Sequence, residues 1–239
     1  MTGSRARAIG GGVAVLIALL HCATSGAQEP SLPRAPDGRP DLSGVWRVAS
    51  NRYLTDLFAG SAQPFLTPWA RMLYNERRAA NGKGRPSDGC LPRGVPGMML
   101  ARDEPWKVVQ TPGTVIILFR ESLHYRQIFT DGRPFPEDPA PTWIGYSIGR
   151  WEGDTLVAET VGLTEQTWLD EGGHPHSDAL RVIERFRRRT ARAMDVDITI
   201  EDPKTFTRPW NGTVRFERVP NADLGEQPCA VRAAGDTKN

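Results

Sequence analysis

The stretch Met194-Asp195-Val196-Asp197-Ile198-Thr199-Ile200-Glu201 decides the fold class. Its apolar residues fall on every even position and its polar residues on every odd one. A period of two is the signature of a strand with one face in a core and the other in water. Working outward, similar runs recur with turn residues between them. Lys107–Gln110 and Thr114–Arg120 flank Pro112-Gly113, and Leu123–Phe129 ends at Asp131-Gly132. Trp143–Trp151 and Thr155–Val161 flank Glu152-Gly153-Asp154, then Ala179–Arg187 and Asn211–Val219 follow. With Leu42–Val48 at the front, this makes about nine strands, mostly hairpin-linked. An open meander of that size leaves bare edges, so closure into a barrel is expected. The fold class read from the sequence is therefore all-β: an antiparallel up-and-down barrel with one N-terminal helix and a long irregular insert.

The helix is read from Thr67-Pro68 followed by Trp69 through Ala80 and Gly82. Thr is a capping residue, Pro suits the first helical position and Gly suits the exit. Trp69, Met72 and Leu73 are expected to mark its apolar face, with Arg71, Glu76, Arg77 and Arg78 in water. The helix belongs to an insert over 49–105, whose part 82–105 is rich in Gly and Pro. The division is 1–27 as a signal peptide, 28–41 as an extended lead-in and 42–239 as one barrel domain.

The signal peptide rests on order. Arg5 and Arg7 precede the apolar run Ile9–Leu20, and small residues lead to Ala27. That is the charged, apolar and small-residue sequence of an exported chain, cleaved after Ala27. The apolar run falls short of the ~20 residues a membrane span needs. Lipidation at Cys22 is the weaker reading, because His21 is not small. A periplasmic or secreted location is expected.

Charge narrows the partners. The chain holds 30 Lys+Arg against 28 Asp+Glu. Removing 1–27 takes away two Arg and no acid, which leaves 28 against 28, net zero. A neutral protein has no global field for nucleic acid or anionic lipid. The basic run Arg185-Phe186-Arg187-Arg188-Arg189 reads as a solvated strand edge. With 39% hydrophobic and 24% charged residues the chain is ordinary globular material, which excludes disorder and collagen.

Three cysteines are present, and removal of 1–27 leaves Cys90 and Cys229. A pair in an exported chain reads as a disulfide. Closing a loop of about 140 residues would contribute roughly 4–5 kcal/mol in the chain-entropy model. No CxxC occurs, and no metal or cofactor is expected.

Gly44-Val45-Trp46 at the head of the first strand resembles the G-x-W opening of lipocalins and related calycin barrels. The resemblance implies that Trp46 plugs the closed end and that an Arg of a late strand, Arg215 or Arg218, packs over it. The span from Pro36 to Trp210 also resembles a group of exported bacterial proteins. The shared phrases are Pro36-Asp37-Gly38-Arg39-Pro40-Asp41-Leu42-Ser43-Gly44-Val45-Trp46, Trp151-Glu152-Gly153-Asp154-Thr155-Leu156-Val157 and Glu184-Arg185-Phe186. It brings no activity with it.

Chemistry is sought where polar residues break an apolar face. Glu159 shares a strand face with Thr155, Val157 and Val161, and Glu184 shares one with Leu180, Val182 and Phe186. Arg126 lies on a face with His124 and Ile128. Charges inside a small barrel are costly unless paired. They are either a structural Arg–Glu pair or a polar hook in a pocket. The loop Trp168-Leu169-Asp170-Glu171-Gly172-Gly173-His174-Pro175-His176-Ser177-Asp178 carries two of the four histidines. It reads as a polar surface loop, as an acid–base site, or as two ligands of a metal. In the acid–base version His176 shuttles a proton, and Asp178 or Asp170 orients it. Arg126 then holds an anionic or carbonyl oxygen, with Glu159 or Glu184 as the second acid–base group. Trp143, Tyr146, Trp168 and His174 are candidates to line the ligand site. No G-x-S-x-G elbow, phosphate loop or G-x-G-x-x-G follows a strand. The function expected is a barrel that binds, or acts without cofactor on, a small apolar or aromatic organic molecule. The competing reading is an envelope interaction or structural module. An apolar patch on the helix would favour that module, and a pocket holding the buried charges would favour the ligand.

Overall fold

The computed structural model describes residues 1–3, 32–50, 57, 65–121 and 124–225. The signal segment expected over 1–27 and Cys229 lie outside the described residues, apart from residues 1–3. The named elements are β1 (Gly44–Val48), α1 (Pro68–Ala79), β2 (Trp106–Thr111), β3 (Thr114–Phe119) and β4 (Tyr125–Phe129). They continue as β5 (Tyr146–Glu152), β6 (Thr155–Val161), β7 (Arg181–Arg188), β8 (Ala193–Glu201) and β9 (Trp210–Arg218). The strands form a closed barrel in sequence order, with β9 pairing back onto β1. The expected period of two holds in β8: Met194, Val196, Ile198 and Ile200 are fully buried.

One seam departs from the antiparallel expectation. β4 and β5 run parallel and pair only at Ile128↔Ser147 and Phe129↔Ile148. The reason is the length of the link over 130–145. A tight hairpin reverses the chain, whereas about a dozen residues suffice to carry it back to the end it left. The link is fastened on its return. Thr142 N–H donates to Gly162 O (2.9 Å), and Thr164 N–H donates to Thr142 O (2.9 Å). Gly145 then enters β5 at φ +69°, where a Cβ would stand 2.7 Å from Val161 O. Only glycine meets both demands.

Trp46 is buried and its Nε1–H donates to Leu42 O (2.9 Å). The guanidinium over its ring belongs to Arg188, 5.6 Å from the ring centroid. Arg215 instead pairs with Asp195 on the outside, and Arg218 fills the space beside Gly44. The basic run splits by strand alternation. Arg188 turns inward, while Arg185 pairs with Glu152 and Arg187 with Asp197, each at 2.6 Å.

Helix α1 begins as expected, with Thr67 Oγ1 accepting from Ala70 N–H (3.4 Å) and Pro68 in its first turn. Its face is rotated from the expected one. Ala70 is buried, with Tyr74 packed against the core and Arg77 turned inward one turn on, while Trp69 and Met72 are 43% and 64% exposed. The small Ala70 lets the helix sit close to the core, and that fixes the rotation. Arg77, expected in water, lies over the Trp168 ring (4.4 Å) and donates to Gly173 O (3.2 Å). Burial lowers its pKa to about 10.

Candidate functional site

The fold gathers the sequence's candidates into two separate places. The first is inside the barrel, at the divergent seam. Arg126 on β4, Ser147 on β5, Thr160 on β6 and Glu184 on β7 are four buried residues on four successive strands. The order of strands brings them together, since Ala158↔Glu184 and Ile128↔Ser147 are cross-strand neighbours. Arg126 Nε–H donates to Ser147 Oγ (3.0 Å), and its Nη2–H groups reach Thr160 Oγ1 (2.7 Å) and Glu184 Oε2 (2.5 Å). Ser147 Oγ and Thr160 Oγ1 share a further bond at 2.8 Å. Two atoms of the pair are buried and make no hydrogen bond among the described residues: Arg126 Nη1 and Glu184 Oε1. A buried donor or acceptor left so costs about 1–3 kcal/mol, more for charged groups.

Beside this network the seam opens. Because β4 and β5 pair at two positions only, a cleft of about 520 Å³ lies between them. Its walls include His124, Arg126, Phe129, Ile144, Tyr146 and Ser147. Phe129 and Tyr146 set their rings 5.4 Å apart, and Phe135 meets Tyr146 edge-on at 6.2 Å. Arg126 and Ser147 are common to the cleft wall and the buried network. Aromatic walls with a few convergent polar groups are the usual make-up of a small-molecule site.

The second place is the loop after β6. His176 is buried, with Nδ1 3.0 Å from Ser177 O and Nε2 2.6 Å from Thr167 Oγ1. A carbonyl only accepts, so Nδ1 carries a proton toward Ser177 O, while the single proton of the Thr167 hydroxyl lies between Nε2 and Thr164 O, which is 3.0 Å away. Burial lowers the His176 pKa and holds the ring neutral. Ser177 donates through N–H (2.6 Å) and Oγ–H (2.7 Å) to Asp202. His174 stacks on Tyr74 at 4.2 Å, and its Nδ1 lies 2.6 Å from Asp170 Oδ2. Asp178 is outside, paired with Lys204 (2.5 Å). These contacts tie the loop to the chain around it.

Arg126 and Glu184 thus meet as a buried pair, and Tyr146 lies in the cleft beside them. Glu159 does not join them. It sits on the outer face of β6, 2.6 Å from Arg181, because Leu156, Ala158 and Thr160 form the inward set. The face expected to be inward, with Thr155, Val157, Glu159 and Val161, is the opposite phase of that strand. Trp143 is half-buried ahead of β5, and Trp168 is buried under Arg77, so neither is among the cleft walls. His176 and Asp178 have separate partners, and among the described residues no cluster of His, Cys, Asp or Glu could hold a metal. Cys90 does not present a free thiol. Ser147, Thr160, Phe129 and Ile144 were not anticipated. Thr160 had a signal, an inward polar position next to Leu156 and Ala158. The cleft had none, because it follows from how two strands diverge.

The chain matches no model of a known protein family, and no curated protein matches it.

Proposed function

We propose that this is an exported β-barrel that binds a small organic molecule with an apolar or aromatic body in the cleft between β4 and β5. The observation that carries the reading is the cleft itself, where the Phe129 and Tyr146 rings and Ile144 stand with the polar Arg126 and Ser147 on one wall. Its volume of about 520 Å³ is ordinary for a ligand site. Binding comes ahead of catalysis because His176, the candidate proton shuttle, has both ring nitrogens engaged. Export is supported by the order of residues 1–27, and a Cys90–Cys229 disulfide by the pair of cysteines left after cleavage. A denatured mature chain with two titratable thiols removes the disulfide. Native mass spectrometry of protein purified from its own periplasm tests the binding. A small-molecule adduct is expected, lost in Ile144→Trp, whose larger ring fills the cleft. Protein that is always ligand-free and takes up no compound from an aromatic library contradicts it.

An envelope interaction module is the second reading, favoured by Trp69 and Met72 side by side and exposed on α1. It expects Trp69→Ser/Met72→Ser to abolish a measured complex or self-association in light scattering while leaving ligand uptake intact.

A further inference from the structure

We infer that the ligand of the cleft is a short extended peptide, which adds a strand to the open edge of β4 and lays an aromatic side chain on the outer face of the barrel. The inference rests on the cleft being a ligand site and names the class of molecule it takes. It starts from the main chain. Phe119 N–H donates to His124 O and Thr130 N–H donates to Gly113 O, so the even-numbered residues of β4 turn their peptide groups toward β3. Successive residues alternate, and Tyr125, Gln127 and Phe129 turn theirs toward β5. The ladder to β5 begins at Ile128↔Ser147 and, being parallel, reaches back no further than Gln127 O. Tyr125 N–H, Tyr125 O and Gln127 N–H are thus left without a main-chain partner among the described residues, and both residues line the cleft. Such a row of groups is what an incoming strand bonds to.

Side chains set what that strand carries. Arg126 and Ser147 are buried beneath the edge, whereas Tyr125 and Gln127 are exposed on the outer face, beside the neighbouring rings of Phe129 and Tyr146. A peptide residue bonded antiparallel opposite Tyr125 puts its side chain on that outer face, and an aromatic one packs against the rings. Its two neighbours point inward at Arg126 and Ser147, which favours small residues there. Exposed edges are usually blunted by charge or proline, and Tyr125 and Gln127 offer neither. A second copy of the chain is the rival occupant. Its matching edge is sunk in a cleft of its own, whereas a free segment reaches into the recess.

The test is amide hydrogen exchange followed by NMR on the full mature protein, with three probes: acetyl-Ala-Phe-Ala-amide, the same peptide N-methylated at Phe, and benzamide. The first peptide is expected to slow exchange at Tyr125 N–H and Gln127 N–H roughly tenfold or more at saturation. It should also bind roughly tenfold tighter than its methylated form, which lacks the N–H that Tyr125 O accepts. Tyr125→Pro removes an N–H that β3 does not use, and is expected to abolish peptide binding with the barrel intact. The wild-type exchange result stands on its own where that variant does not fold. A methylated peptide that binds as tightly, or a bound peptide that leaves both amides exchanging as before, overturns the inference. Benzamide shifts over 124–129 would then still mark the cleft as a ligand site. Self-association that protects the same two amides without peptide makes a second copy the occupant and overturns it as well. If neither peptide nor benzamide binds, the cleft reading falls and the inference with it.

Discussion

His176 and Arg126 are both polar side chains sealed against a barrel wall, yet their surroundings differ in completeness. Around His176 the inventory closes: Nδ1 has the Ser177 carbonyl, Nε2 has the Thr167 hydroxyl, and the adjoining Ser177 is held through two bonds to Asp202. Around Arg126 it stays open by one nitrogen, and around Glu184 by one oxygen. A closed set of bonds explains why a polar group is buried, because it fastens a loop. An open set leaves part of the cost of burial unmatched by hydrogen bonds.

The comparison can be broken by substitution, beginning with the largest effect. Arg126→Leu leaves Glu184 as an unpaired buried charge and is expected to lower stability by about 3–5 kcal/mol in urea denaturation. The double variant Arg126→Leu/Glu184→Leu should recover most of that loss and still bind no ligand, since buried ion pairs often exchange for apolar residues near neutrality. A double variant as unstable as the single one would show that the pair is structural. Next is Asp202→Ala. Asp202 accepts from Ser177 N–H and Oγ–H, Lys204 N–H, and Thr205 N–H and Oγ–H. Its removal should cost about 3 kcal/mol by leaving buried donors unmatched, without changing ligand affinity.

The barrel was legible because β8 alternates without a break, and because Pro112-Gly113 and Gly153-Asp154 mark tight turns. The parallel seam was not, since a run of residues over 130–145 does not say where its far end returns. For the site, Arg126 and Glu184 stood out as charges among apolar neighbours, a signal that survives any strand order. Glu159 stood out in the same way and lies outside, since strand phase is set by pairing with β7 rather than by the strand's own residues. Helix α1 misled for a related reason: its largest apolar residues, Trp69 and Met72, are not the ones the core took. His174 and His176 drew attention as titratable groups, and sequence does not reveal that each is matched by a partner.

A smaller effect separates the histidine by pH. The His176 pKa lies below the ordinary imidazole value of 6.5, with burial as the main cause. The unfolded chain therefore binds its proton first, and stability should fall as pH drops below about 6.5, by at most ~1.4 kcal/mol per pH unit until the folded-state pKa is passed. His176→Gln should flatten that part of the profile in thermal melts between pH 8 and pH 5. An identical profile would mean that the ring does not titrate differently in the two states. The smallest effect is expected at Asp178→Asn, which removes an exposed partner of Lys204. Melting temperature and ligand affinity should both stay within error, and loss of binding would return this carboxylate to the site.

The measurement that reaches the centre of the account is a two-dimensional ¹H–¹⁵N NMR titration of the mature protein with benzamide. Perturbed amides are expected over 124–129 and 142–148, together with the Arg126 Nε–H resonance, while 167–178 stays in place. Perturbations confined to 167–178, or none along β4 and β5, would contradict it.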